Sequence, residues 1–149
     1  MTQRGMTLIE MMFVLVVAGI LANVALPAYQ EMRRRADAAH VVGDFNAIRI
    51  AAFDYYAANS TFPGDGGWGQ VPRPLARSLP GGFSFRYKNV SYRWRRWSLP
   101  NGMPRNRNQL VLLGLDVRTT DRALMRAIKS SYRGGVAFGT PTQVTLVIE

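Results

Sequence analysis

The chain contains no cysteine and a single histidine, His40. The first absence excludes disulfides, thiolate nucleophiles and Cys-ligated zinc, and the second leaves no basis for a His-rich metal cage or a Ser-His-Asp triad. Acidic residues are scarce as well, with 9 Asp plus Glu against 19 Lys plus Arg, and no carboxylate pair has hydrolase-like spacing. No enzyme and no cofactor is expected from such a set. Asp116 and Asp121 are the nearest approach to a calcium ligand pair, and two carboxylates alone are weak support for one. Only Lys88 and Lys129 are lysines, so the other 17 basic residues are arginines and the formal charge reaches +10. An acidic partner surface, nucleic acid or anionic lipid could each answer that excess. With 149 residues, 48% hydrophobic and 19% charged, the chain is sized for one domain and too apolar to be wholly disordered.

Its overall hydropathy is near zero, so an apolar block must be offset by a polar remainder, and that block stands at the front. Residues 11–26 carry no charge, and extension to Met6 and Tyr29 gives 24 residues interrupted only by Glu10 and Pro27. As a helix this run is about 36 Å long, enough to cross a ~30 Å hydrocarbon core. An ordinary cleaved secretory signal fits poorly. Ala25 and Ala28 have Asn23 and Leu26 at the third position before a cut, and the small residues Ala36 and Ala38 lie beyond three arginines. Glu10 is foreign to that design too. A carboxylate in a membrane helix costs roughly 2.5–3.5 kcal/mol at mid-depth and less near the interface, so Glu10 needs a partner, a task or a route to the headgroups.

The order Arg4-Gly5, then Met6-Thr7-Leu8-Ile9-Glu10, then the apolar run, closed by Pro27-Ala28-Tyr29, closely resembles the signal of type IV prepilins and of type II secretion pseudopilins. The resemblance covers roughly the first 60 residues. It implies that a prepilin peptidase cuts after Gly5 and methylates the new amine of Met6. Glu10 is then the fifth mature residue and Pro27 the twenty-second, both as in the family. Met6 departs from the usual Phe. The lack of cysteine departs from disulfide-closed major pilins and favours a pseudopilin or a cysteine-free pilin. Residues 1–5 become a leader, 6–30 a transmembrane and assembly segment, and 31–149 a periplasmic globular domain. The implied partners are membrane lipid, an inner-membrane assembly platform and other pilin-like subunits in a homo- or hetero-oligomeric filament. The implied location is the inner membrane, single-pass, and then the pilus or pseudopilus.

Beyond the apolar run, Ala38, Val41, Val42, Phe45, Ile48, Ala52, Tyr55 and Tyr56 recur at helical steps, with Arg33, Arg34, Asp37, His40, Asp44 and Arg49 mainly on the other faces. One helix over about 7–58 is expected. Pro27 should kink or open it, with Gly19 and Asn23 lowering helix propensity before it. Residues 59–69 are dense in turn formers, and Pro72, Pro74 and Pro80 keep the chain irregular to Gly82. Glycine spacing here is no phosphate-binding fingerprint. Alternation then predicts strands at Phe83 to Tyr87 and at Tyr92 to Arg95, turning around 89–91, and further strands at 110–115 and 144–148, with 136–138 as a weaker candidate. A loop over 101–108, a short helix capped by Thr119 or Thr120 and running to Lys129, and an end at Gly134 and Gly135 complete the pattern. The fold class is α+β: a long N-terminal helix packed on a small antiparallel sheet, pilin-like. The expected core is Phe45, Ile48, Phe53, Phe83, Phe85, Leu112 and Leu146.

Between Asp65 and Asp116 there is no acid, yet Arg73, Arg77, Arg86, Lys88, Arg93, Arg95, Arg96, Arg105 and Arg107 fall there, interleaved with Tyr87, Tyr92, Trp94 and Trp97. Residues 86–97 thus offer a partner patch of Arg86, Lys88, Arg93, Trp94, Arg95, Arg96 and Trp97. Three readings stay open. The patch pairs with Glu31, Asp37, Asp44 or Asp54 of a neighbouring subunit; it is a solvated face; or it binds nucleic acid, the alternative being a minor pilin that holds DNA or a surface. Orientation carries a conflict. Arg33, Arg34 and Arg35 follow the span, which by the positive-inside rule places the C-terminal part in the cytoplasm, whereas the resemblance implies the reverse.

Overall fold

The computed structural model describes residues 7–99, 110–133 and 135–148. The expected loop over 101–108, with Arg105 and Arg107, and Gly134 lie outside them. The chain divides into two compact units, residues 1–34 and 35–149.

The first unit holds the opening part of helix α1 (Leu8–Asn59). It is apolar on every side, and Leu8, Phe13, Leu15, Ile20, Leu21 and Val24 are all exposed. A helix closes its own backbone hydrogen bonds, so it needs no polar surroundings, and an all-round apolar helix suits lipid or copies of itself. Helical geometry continues without interruption through Pro27. Its ring has no N–H to offer the Asn23 carbonyl, which leaves one rung of the hydrogen-bond ladder empty.

The second unit contains the rest of α1 with strands β1 (Arg86–Tyr87), β2 (Val90–Leu99) and β3 (Leu110–Thr119), helix α2 (Arg122–Ser131), and strands β4 (Ala137–Gly139) and β5 (Gln143–Ile148). The sheet has five strands in the order β1-β2-β3-β5-β4, every pair antiparallel. Ala38, Val41, Phe45, Ile48 and Ala52 form the buried stripe of α1. They meet Tyr92 and Trp94 of β2, Leu113, Leu115 and Val117 of β3, and Val144, Leu146 and Ile148 of β5 in one core, joined by Leu124, Met125 and Ile128 of α2. The α+β class and the packing of the long helix on an antiparallel sheet are as the sequence predicts.

Three expectations are corrected, besides Leu112, which is half-buried on the face of β3 opposite Leu113 and Leu115 and outside the core. Phe53 is no core residue: it is 40% exposed and stands edge-on to Phe62 at 5.8 Å, while Tyr56 stacks on the same ring at 4.4 Å. The last two turns of α1 therefore carry a surface aromatic cluster beyond the sheet's reach. The first strand is only Arg86–Tyr87. Tyr92 N–H still bonds the Phe85 carbonyl at 2.9 Å, but the Tyr92 carbonyl accepts from Gly69 at 2.8 Å and the Trp94 carbonyl from Gly66 at 3.0 Å. The glycine-rich segment takes the edge of β2 that Phe83 needed. The third correction is the α2 cap. Asp121, in extended backbone, accepts from the amides of Ala123 (2.8 Å) and Leu124 (3.1 Å), and Thr119 Oγ1 accepts from the Asp121 amide.

Two glycines are fixed by sterics. Gly69 has φ +68°, and a Cβ there would meet the Arg86 side chain. A Cβ at Gly114 would stand 2.8 Å from Trp97 Cζ3, so the bare β3 backbone is what lets that indole lie flat across the sheet.

Among the described residues, those of the second unit's core lie between Ala38 and Ile148. Residues 31–149 alone should therefore fold as a soluble monomer, and reducing agent should leave the melting temperature unchanged because there is no disulfide to open. Circular dichroism and sedimentation check this; a disordered or membrane-bound fragment would refute it.

Candidate functional site

Two regions carry the candidate residues. At the start of α1, Gly5 and Met6 lie outside the described residues, and the description begins at Thr7. Thr7 and Glu10 form a reciprocal cap: the Thr7 amide and hydroxyl donate to Glu10 Oε2 at 3.3 Å each, and the Glu10 amide donates to Thr7 Oγ1 at 3.4 Å. This is a capping box, with the carboxylate answering donors that the helix itself cannot satisfy. The signal was present in the sequence, since Thr7-Leu8-Ile9-Glu10 has the required three-residue spacing. Residues 11–30 after it are free of charge, about 30 Å of helix at 1.5 Å per residue. Glu10 thus heads an uncharged run long enough to cross a hydrocarbon core. Around Gly19 a Cβ would meet nothing within 4 Å, so no packing inside the chain demands a glycine there.

The second region is β2. Alternation along the strand sends Tyr92 and Trp94 to the core and Arg93, Arg95 and Trp97 to the opposite face. Trp94 is fully buried, its Nε1–H donating to the Pro63 carbonyl at 3.0 Å, so it is removed from any partner patch. Arg93 faces Asp116 across β2 and β3, with Nε at 3.1 Å and Nη2 at 2.5 Å from Oδ2, and the Thr145 hydroxyl donates to the other carboxylate oxygen at 2.6 Å. That polar row crosses three strands. Trp68 lies beside it, with the Arg93 and Arg118 guanidiniums 4.4 and 4.5 Å from its ring. Arg95 stands 3.6 Å from Asp65 and over Trp97, while the Arg96 amide and guanidinium bond Asp65 (2.7 Å) and the Phe62 carbonyl (2.9 Å). Arg86 lies over Gly69, and the Lys88 ammonium pairs with Asp37 at 2.5 Å.

These contacts engage part of the patch within the chain, while Arg86 and Lys88 remain exposed and Arg93, Arg95, Arg96 and Trp97 are half-buried. Asp37 and Asp44, expected to await a neighbouring subunit, are engaged at home: Asp37 by Lys88 and the Tyr87 hydroxyl (3.0 Å), Asp44 by the Tyr92 hydroxyl (2.7 Å) and His40 (3.2 Å). The His40 ring also stacks on Tyr87 at 3.9 Å. Asp37 and Asp44 lie two helical turns apart on α1 and are met by the β1–β2 hairpin. The bond to Asp37, then that to Tyr87, holds the Lys88 ammonium above its usual range, and burial, then the bond to Asp44, pushes the Tyr92 phenol well above its own. Both are raised relative to the unfolded chain, so the stability they contribute is present below about pH 10 and is lost as pH rises through the folded values. Asp65, Asp116 and Trp68 are the residues that sequence reasoning missed, because their pairing depends on strand register and on where the glycine-rich segment lies. Among the described residues no group of three or more His, Asp or Glu could hold a metal ion, and Asp121 is spent on the α2 cap.

A long apolar helix headed by a capped glutamate leads into a helix-on-sheet unit, and the N-terminal part of this chain is similar to that of type IV pilins. The sequence model of the prokaryotic N-terminal methylation motif matches residues 1–22. Over 63 residues the chain is 41% identical to a fimbrial protein of Neisseria meningitidis serogroup B, covering 42% of this chain and 37% of that one. It is equally identical over 63 residues to the type IV major pilin protein PilE of Neisseria gonorrhoeae, covering 42% and 38%. Fimbrial protein Q of Moraxella bovis is 47% identical over 49 residues, 33% of this chain and 31% of that one. The matched stretch is thus well under half the length of these relatives. No solved structure matches the chain.

Proposed function

We propose that the chain is a structural pilin-like subunit, cut between Gly5 and Met6 by a prepilin peptidase, N-methylated on Met6, and assembled into a filament through α1 by an inner-membrane platform. The observation that carries this reading is the methylation motif over residues 1–22, with Glu10 heading a charge-free run of membrane thickness. The names of the relatives, fimbrial protein and major pilin, favour a type IV pilus over a type II secretion pseudopilus. In this reading the 35–149 unit lies on the periplasmic side, and the outward apolar surface of α1 meets lipid before assembly and other copies of α1 afterwards. Nucleic-acid binding through β2 is the weaker reading: Trp94 is buried, and Arg93, Arg96 and Lys88 bond the chain's own acids and carbonyls.

Processing is the test. Mass spectrometry of protein from a native membrane should find a chain that starts at Met6 with a methylated amine. An intact Met1, or a start near Leu26 or Tyr29, would overturn the reading. A bulky residue in place of Gly5 should block the cut.

A further inference from the structure

The apolar run of α1 ends in a cationic segment that no internal contact fully explains. Residues 11–30 fill a ~30 Å hydrocarbon core at 1.5 Å per residue. The next five residues, 31–35, rise about 7.5 Å, which equals the ~5–7.5 Å that each headgroup layer adds to the core. This segment reads Glu31, Met32, Arg33, Arg34, Arg35. Glu31 and Arg35, four residues apart, are engaged in contacts of their own. Arg33 is exposed and Arg34 partly so, and successive residues turn by 100°, so the two guanidiniums leave the helix in different directions. Tyr29, 62% exposed one turn earlier, supplies the amphipathic ring typical of the interface.

We propose that Arg33 and Arg34 form a binding site for the phosphates of anionic phospholipids and fix the depth at which α1 leaves the bilayer. The proposal rests on the membrane reading of α1. A guanidinium is a planar fork that takes two oxygens of one phosphate, is always charged and sheds water more easily than an ammonium, so it suits the boundary between hydrocarbon and headgroups. The site also gives the arginines after the span a task that does not depend on the positive-inside rule. A subunit lifted out of the bilayer along its helix axis must release these phosphates first.

The test uses the full chain and two vesicle populations, pure phosphatidylcholine and phosphatidylcholine with 30% phosphatidylglycerol, between which the protein partitions. Wild type should prefer the anionic vesicles. Arg33→Gln/Arg34→Gln should lower that preference by roughly fivefold to twenty-five-fold, since one basic residue near an anionic surface is worth about a factor of five. Arg33→Lys/Arg34→Lys should fall between the two, because charge is kept and the fork is lost. Arg122→Gln/Arg126→Gln, which removes two exposed cations on α2, should leave the preference unchanged. Circular dichroism confirms that each variant keeps its helix. Equal partitioning of wild type, an unchanged preference in the Gln pair, or a loss that appears only in the α2 variant would each overturn the proposal. Failure of wild type to float with either vesicle would overturn the membrane reading itself, an outcome distinct from insertion without lipid preference.

Discussion

Glu10→Leu should leave the protein abundant and cleaved, while its incorporation into filaments drops roughly tenfold to a hundredfold. In the proposed reading, cleavage after Gly5 would create a positive amine on Met6, four residues before Glu10. Packed helices exclude water, and leaving one member of a buried ion pair unmatched costs about 3–5 kcal/mol, with partial exposure at the rim reducing that figure. In a staggered bundle the carboxylate of one chain can meet the amine of the next, which selects one axial register much as a lone polar contact does in a coiled coil. The capping box adds a competing explanation, since Glu10 also accepts from Thr7. Glu10→Gln separates the two. A glutamine serves a capping box as well as a glutamate but brings no charge. Filament yield from Glu10→Gln should match that of Glu10→Leu. If Gln restores normal filaments, the residue acts through the cap alone, and if either variant remains uncut, its task lies in recognition by the peptidase.

The largest stability effect is expected at Asp116. Its carboxylate is only 2% exposed, holds Arg93 by two hydrogen bonds and accepts from Thr145. Asp116→Ala leaves the Arg93 guanidinium, 24% exposed, without its counter-charge and opens the middle of the polar row. A loss of about 3–5 kcal/mol follows for one partner of a buried pair, read as a fall in melting temperature of roughly 10–20 °C for the 31–149 fragment. The double replacement Arg93→Leu/Asp116→Leu removes both charges and should recover most of that loss, because a hydrophobic pair of similar size is often as stable as a buried ion pair. Chemical denaturation of the two variants side by side is decisive. A single variant that unfolds within about 1 kcal/mol of wild type would show that the row is solvated and of little weight.

The long helix, the antiparallel sheet and α2 were legible because each rests on a local period. The stripe of Ala38, Val41, Phe45, Ile48 and Ala52 repeats at three and four residues, and Tyr92 and Trp94 alternate with Arg93 and Arg95. What was not legible depends on distance in sequence. Arg93 finds Asp116 only through the register of β2 on β3, and Arg96 finds Phe62 and Asp65 only because the glycine-rich segment lies along β2. A run of arginines without nearby acids reads as a surface awaiting a partner. The acids that meet it come from residues 37, 65 and 116, up to about fifty positions away. Phe53 failed for the opposite reason: it fits the composition of a core but sits one step off the stripe.

The order in which the core is supplied sets a timetable. The buried stripe of α1 is complete at Ala52, yet Val144, Leu146 and Ile148 of β5, which close the core and pair with β3, come nearly a hundred residues later. At 5–20 residues per second of synthesis, that separation is on the order of 5–20 s during which the stripe has left the ribosome without its full cover. For that interval Phe45 and Ile48 face whatever is at hand. Until β5 is made, the stripe is open to association with any other apolar surface, so the second half of the chain sets how long the first half stays sticky.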